Sequence, residues 1–155
     1  MSLIAICALI AVCVISFYVL ISVVVRVKRD GERRELERYS IEPAALHALL
    51  AAKQDVLVMD VRQPLDLLAS PEIIPGAKRI APKEVLEQAS LIPKDRDTVI
   101  YCTCPSERTS RAILHKALAL NFTRIKFLKG GLEAWKAQGF PVERYVASFR
   151  LDTAS

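Results

Sequence analysis

The stretch "VIYCTCPSERTSRAI", residues 99–113, changes character twice within fifteen positions. Val99 to Tyr101 close a short apolar run that begins in "DTVIYC" and ends on Cys102. Polar residues and a proline follow, and from about Arg108 or Thr109 a helical repeat begins. Its apolar positions, Ile113, Leu114, Ala117 and Leu118, fall on one face. A strand that feeds through a loop into a helix is half of a βαβ unit, so the next strand is expected to be parallel to the first. "RIKFL", residues 124–128, supplies it.

The same alternation extends upstream. "SIEPAALHALLAA" opens on a helix-start signal, with Leu46, Leu49 and Leu50 as its buried stripe. "DVLVMDV", Asp55 to Val61, is almost continuously apolar, as a strand must be when helices cover both faces of its sheet. The fold expected is α/β, a parallel sheet with helices on both faces, over residues 40–145. His47 and His115 both fall off their helices' apolar stripes and are expected to face solvent.

Ahead of this domain, Leu3 to Val25 carries no charge, and at about 1.5 Å per residue it is long enough to cross a hydrocarbon core of about 30 Å. No basic residue precedes the run and no small-residue cleavage site follows it, which argues against a removable leader. The reading is a single transmembrane helix in residues 1–25. A basic juxtamembrane linker follows in residues 26–39, where Arg26, Lys28, Arg29, Arg33, Arg34 and Arg38 alternate with Glu32, Glu35 and Glu37. An excess of Lys and Arg beside a span marks the cytoplasmic side, so the N-terminus is expected outside and the α/β domain in the cytoplasm. Cys7 and Cys13, six positions apart, fall on different helix faces and do not suggest a pair. Residues 146–155 read as a flexible tail.

The net charge of +5 is concentrated in that linker, so it does not argue for nucleic acid. The four cysteines lack the dispersed spacing of a disulfide framework, which fits a reducing compartment. Cys102 and Cys104 form a single C-x-C with no second pair, so no metal site is expected. No glycine-rich nucleotide loop is present, and no cofactor is implied.

What remains is the loop itself. Ligands of open α/β sheets bind beyond the carboxyl ends of the strands, where Cys102 lies. The start of a helix offers free backbone N–H groups and a positive dipole end, which lower a nearby thiol's pKa and hold an anion. Arg108 adds a planar donor fork for an oxyanion. Glu107 opposes bound negative charge unless it points to solvent. Thr103, Cys104, Pro105, Ser106, Glu107, Arg108 and Thr109 are therefore the expected anion-binding loop, with Cys102 as nucleophile. Cys104 is either a resolving thiol or a packing residue.

Three further motifs resemble the rhodanese-like family. "MDVRQPLDL" is similar to its D-V-R-x-x-x-E-aromatic segment, with Asp66 at the glutamate position and Leu67 at the aromatic one. "IPGA", Ile74 to Ala77, matches the end of G-H-I-P-G-A, with Glu72 and Ile73 in place of Gly-His. "GGLEAWKAQGFPV", Gly130 to Val142, resembles the family's closing segment. Asp60, Arg62 and Asp66 then read as braces of a strand-to-helix connection, Gly130 and Gly131 as a sharp turn, and Trp135 as a core anchor.

The resemblance implies a sulfurtransferase without a cofactor. Cys102 would take a sulfane sulfur from a small anionic donor such as thiosulfate, hold it as a persulfide, and pass it to a thiol or cyanide-like acceptor. The departure is in the loop: C-x-x-x-x-R is common in the family, and five residues separate Cys102 from Arg108 here. That length resembles the phosphatases and arsenate reductases of the same fold, which are the alternative. A non-catalytic binding module is a third reading. No protein partner is identifiable.

Overall fold

The computed structural model describes residues 3–103 and 108–146. The chain divides into two compact units, Met1–Arg38 and Tyr39–Ser155. The expected tail lies outside the described residues except for Val146.

The first unit is one helix, α1 (Leu3–Arg38). Among the described residues no helix is long and apolar enough to cross a membrane. This overturns the expected span at residues 3–25, and with it the outside N-terminus and the cytoplasmic placement of the domain. The helix does not stop where the apolar run does. It continues through the charged residues to Arg38.

The second unit begins with β1 (Ser40–Ile41), α2 (Pro43–Ala51), β2 (Val56–Asp60), α3 (Pro64–Ala69), β3 (Glu72–Ile73) and β4 (Lys78–Arg79). It continues with α4 (Pro82–Glu87), β5 (Asp97–Tyr101), α5 (Arg108–Ala119), β6 (Ile125–Leu128), α6 (Gly131–Ala137) and β7 (Glu143–Arg144). Three of the helices, α2, α3 and α4, begin on proline, whose fixed φ suits the first helical position and whose missing N–H would be unpaired there in any case.

The main sheet has the order β1-β6-β5-β2-β4, with every pairing parallel. β5 is therefore the middle strand. The four residues Thr98 to Tyr101 are all buried, the pattern of a strand covered on both sides. On one side Val99 and Tyr101 pack with Leu46 of α2 and with Leu132 and Trp135 of α6. The other side carries α5, whose Ile113, Leu114 and Ala117 are buried as the periodicity predicts, while Leu118 is half-buried. β3 and β7 form a separate antiparallel pair.

His115 is exposed as expected, but His47 is not simply solvent-facing. Its ring stacks on Phe140 at 4.2 Å and lies tilted against Trp135 at 5.8 Å. Position on α2 alone could not show this, because Phe140 arrives from the far end of the domain.

The amino end of the sheet is tied by an exposed pair. Arg124 Nε donates to Asp97 Oδ1 at 2.9 Å, and that hydrogen bond holds the Asp97 carboxyl below its ordinary pKa. A folded-state pKa below the unfolded one gives stability that is present above the ordinary carboxylate range and lost as pH falls through the depressed value. The pair is solvent-screened, so the effect is small. Melting temperatures of the native chain and of Asp97→Asn are expected to coincide in acid and to separate slightly, native above, toward neutral pH.

Candidate active site

Cys102 lies one residue past β5, at the carboxyl end of the middle strand, and is 1 % exposed. Two sets of interactions position it. The first comes from α6. Leu132 N–H donates to the Cys102 carbonyl at 3.2 Å. Gly131, at φ +58°, approaches that carbonyl so closely that a Cβ would lie 2.0 Å from its oxygen. Gly130, at φ +70°, caps the same helix, and a Cβ there would lie 2.5 Å from that of Ala134. The Gly-Gly pair thus makes the sharp turn expected of it, and Gly131 also allows α6 to dock on the strand end that carries the thiol.

The second set is a buried polar network reached through Tyr101. The Tyr101 hydroxyl donates to Asp60 Oδ2 at 3.1 Å and accepts from Ile74 N–H at 3.2 Å. Burial, followed by the Asp60 carboxylate, pushes the phenol's pKa far above its ordinary value, so it stays a neutral donor. Asp60 also accepts Arg62 Nε at 3.0 and 2.9 Å and Arg62 Nη2 at 2.6 Å, and Asp60 and Arg62 are both 0 % exposed. The guanidinium is completed by the carbonyls of Ser70 at 2.9 Å and Glu72 at 2.7 Å. Six residues, Asp60, Arg62, Ser70, Glu72, Ile74 and Tyr101, contribute donors and acceptors here, which removes most of the cost of burying the two charges.

Asp60 and Arg62 therefore brace the connection as expected. Asp66 does not join them: it is half-buried in α3, and its ties to Gln63 and Ser70 run through the backbone. Trp135 is 1 % exposed and donates Nε1–H to the Pro141 carbonyl at 2.8 Å. Leu67, at the family's aromatic position, is buried. In "IPGA" the turn closes by Ala77 N–H to Ile74 O at 3.0 Å, with Gly76 at φ +73°.

Of the expected anion loop, Thr103 and Thr109 are half-buried on either side of the site. Cys104, Pro105, Ser106 and Glu107 lie outside the described residues, and Arg108 is described only as the first residue of α5. Among the described residues no group of three or more His, Cys, Asp or Glu could hold a metal ion.

One residue escaped the sequence reading. Ser110 is 1 % exposed, and its hydroxyl has no hydrogen-bond partner among the described residues. The signal was present: Ser110, Ile113, Leu114 and Ala117 follow the i, i+3, i+4, i+7 spacing, so the buried stripe of α5 extends one turn further back than its apolar members show.

The described residues thus form a parallel α/β sheet with a buried cysteine one residue past the carboxyl end of its middle strand. Comparison with known proteins sharpens this. The model of the rhodanese-like domain family matches residues 42–138, and the chain belongs to that family. It is 33% identical over 102 residues to a sulfurtransferase of Allochromatium vinosum, an alignment covering 66% of this chain and 92% of that protein. Among solved structures, a protein from Anabaena shares 29% identity with a TM-score of 0.58, over 68% of this chain and 83% of that one. A rhodanese-related protein from Thermoplasma volcanium shares 25% identity with a TM-score of 0.55, over 67% and 96% of the two chains.

Proposed function

We propose that this domain is a sulfurtransferase and that Cys102 carries the sulfur. The supporting observation is the position of Cys102: buried at the carboxyl end of the middle strand and held from both sides, with α5 beginning at Arg108. The similarity to a sulfurtransferase points the same way. With thiosulfate as donor, the Cys102 thiolate attacks the sulfane sulfur. A new S–S bond forms as the bond to the sulfonate sulfur breaks, and sulfite leaves with its electron pair. The acceptor, cyanide or a thiolate, then attacks the outer sulfur of the persulfide, takes it, and releases the Cys102 thiolate. Neither step needs a cofactor.

In this reading Thr103, Cys104, Pro105, Ser106, Glu107, Arg108 and Thr109 form the anion loop. Its backbone N–H groups stabilise the persulfide, and Arg108 binds the donor's charge. Cys104, two positions on, is a resolving thiol for an over-charged or oxidised Cys102.

Incubating the full chain with thiosulfate and mapping the product by mass spectrometry tests the proposal. One added sulfur atom on Cys102 is expected. Addition at Cys104 alone would move the nucleophile two residues along the loop.

The five residues between Cys102 and Arg108 favour a second reading, a phosphatase or arsenate reductase, because the longer loop has room for a tetrahedral oxyanion. Hydrolysis of an aryl phosphate or reduction of arsenate, with no sulfur uptake, would select it.

A further inference from the structure

The buried hydroxyl of Ser110 has no hydrogen-bond partner among the described residues, and a buried polar group without a partner costs on the order of 1–3 kcal/mol. Its place in the fold suggests what it is for. α5 connects two parallel neighbours, β5 and β6, so it runs back against them, and its first turn lies at the carboxyl end of β5. Ser110 is in that turn, on the face that buries Ile113, Leu114 and Ala117. Side chains alternate along β5: Val99 and Tyr101 join the core cluster on the α2 and α6 side, which turns Ile100 toward α5, and the buried Cys102, one residue past the strand, is not in that cluster. The topology therefore brings an unpartnered hydroxyl and the thiol to the same end of β5.

We propose that Ser110 donates its hydroxyl hydrogen to the outer sulfur of a Cys102 persulfide. This rests on the sulfurtransferase reading and extends it to a residue beyond the anion loop. In the resting protein the two side chains make no hydrogen bond. A sulfane sulfur stands about 2.05 Å beyond Sγ, and the anionic charge develops on that outer atom. A donor that finds no partner in the thiol state and finds one in the persulfide state stabilises the loaded form selectively. The orphaned hydroxyl is then a cost of the resting state that is recovered on loading.

The test is an equilibrium. The full chain and Ser110→Ala are each brought to equilibrium in thiosulfate–sulfite mixtures of fixed ratio, and the fraction of Cys102 bearing the extra sulfur is read by intact mass. Melting temperatures of the unloaded and loaded forms are measured in parallel. Ser110→Ala is expected to lower the loading constant on the order of tenfold. It is also expected to leave the unloaded melting temperature equal or higher, since alanine suits a helix and removes an unpaired buried group. The rise in melting temperature on loading is expected to shrink. Ser110→Thr, which keeps a hydroxyl, is expected to load better than the alanine variant.

An unchanged loading constant in Ser110→Ala overturns the inference. So does a fall in the unloaded melting temperature with no change in the loading-dependent rise, which is the mark of a purely structural hydroxyl. If the native chain takes up no sulfur, the sulfurtransferase reading fails and this inference with it. Loading of the native chain with an unaffected alanine variant removes this inference alone.

Discussion

Replacing Asp60 by alanine is expected to destabilise the domain by about 3–5 kcal/mol, because the substitution leaves a guanidinium buried without its counter-charge. Arg62 is 0 % exposed, and after the change its remaining partners are the carbonyls of Ser70 and Glu72. The Tyr101 hydroxyl loses its acceptor at the same time. Against a total stability of about 5–15 kcal/mol, such a loss takes much of the margin. Urea unfolding followed by tryptophan fluorescence would report it, since Trp135 is buried in the core that Tyr101 shares. A loss below about 1 kcal/mol would show that water or a rearranged Arg62 compensates the charge, and that the network is not the brace described.

Gly131→Ala is expected to have the other large effect, and on function more than on stability. The added Cβ would fall 2.0 Å from the Cys102 carbonyl oxygen, a separation that atoms cannot adopt. Either the first turn of α6 lifts away, losing the Leu132 N–H bond to that carbonyl, or Cys102 moves. A positive φ at alanine adds strain of about 1–3 kcal/mol. On the sulfurtransferase reading, a shift of the nucleophile by about 1 Å lowers the rate of sulfur transfer from thiosulfate to cyanide on the order of 100-fold. Gly139 supplies the control. It too has a positive φ, +71°, but a Cβ there meets nothing within 4 Å. Gly139→Ala should therefore carry the strain without the rate loss. Equal rates in the two variants would show that the close approach of Gly131 is not what holds Cys102.

Much of the architecture was legible because its signals are local. The apolar runs at residues 55–61 and 97–102 became β2 and β5 within a residue at each end, and α5 begins where the repeat of Ile113, Leu114 and Ala117 implied. The prolines at 43, 64 and 82 each open a helix. The N-terminal run misled for a related reason. Hydropathy counts uncharged residues, but a helix has no obligation to end where charge begins, and α1 carries straight through to Arg38.

The site was legible only in part. That a thiol would end a strand before a helix followed from strand, loop and helix in series. Asp60 and Arg62 were read as a brace, but Tyr101, the residue linking that brace to Cys102, looked like one more apolar strand position. Its hydroxyl role depends on Asp60, 41 positions away in the chain. Ser110 continues the buried stripe of α5, but the spacing does not show which surface covers it or whether its hydroxyl finds a partner.

By itself the sequence determined the strands β2, β5 and β6 and the helices α2 and α5, that those strands run parallel, and where the thiol falls among them. Each of these depends on periodicity or steric preference within about ten residues of chain. Only the tertiary structure decided the strand order, the seating of Gly131 against Cys102, the link from Tyr101 to Asp60, and the burial of the Ser110 hydroxyl. Those depend on contacts between segments distant in sequence, and no local pattern of residues records the distance at which two such segments will meet.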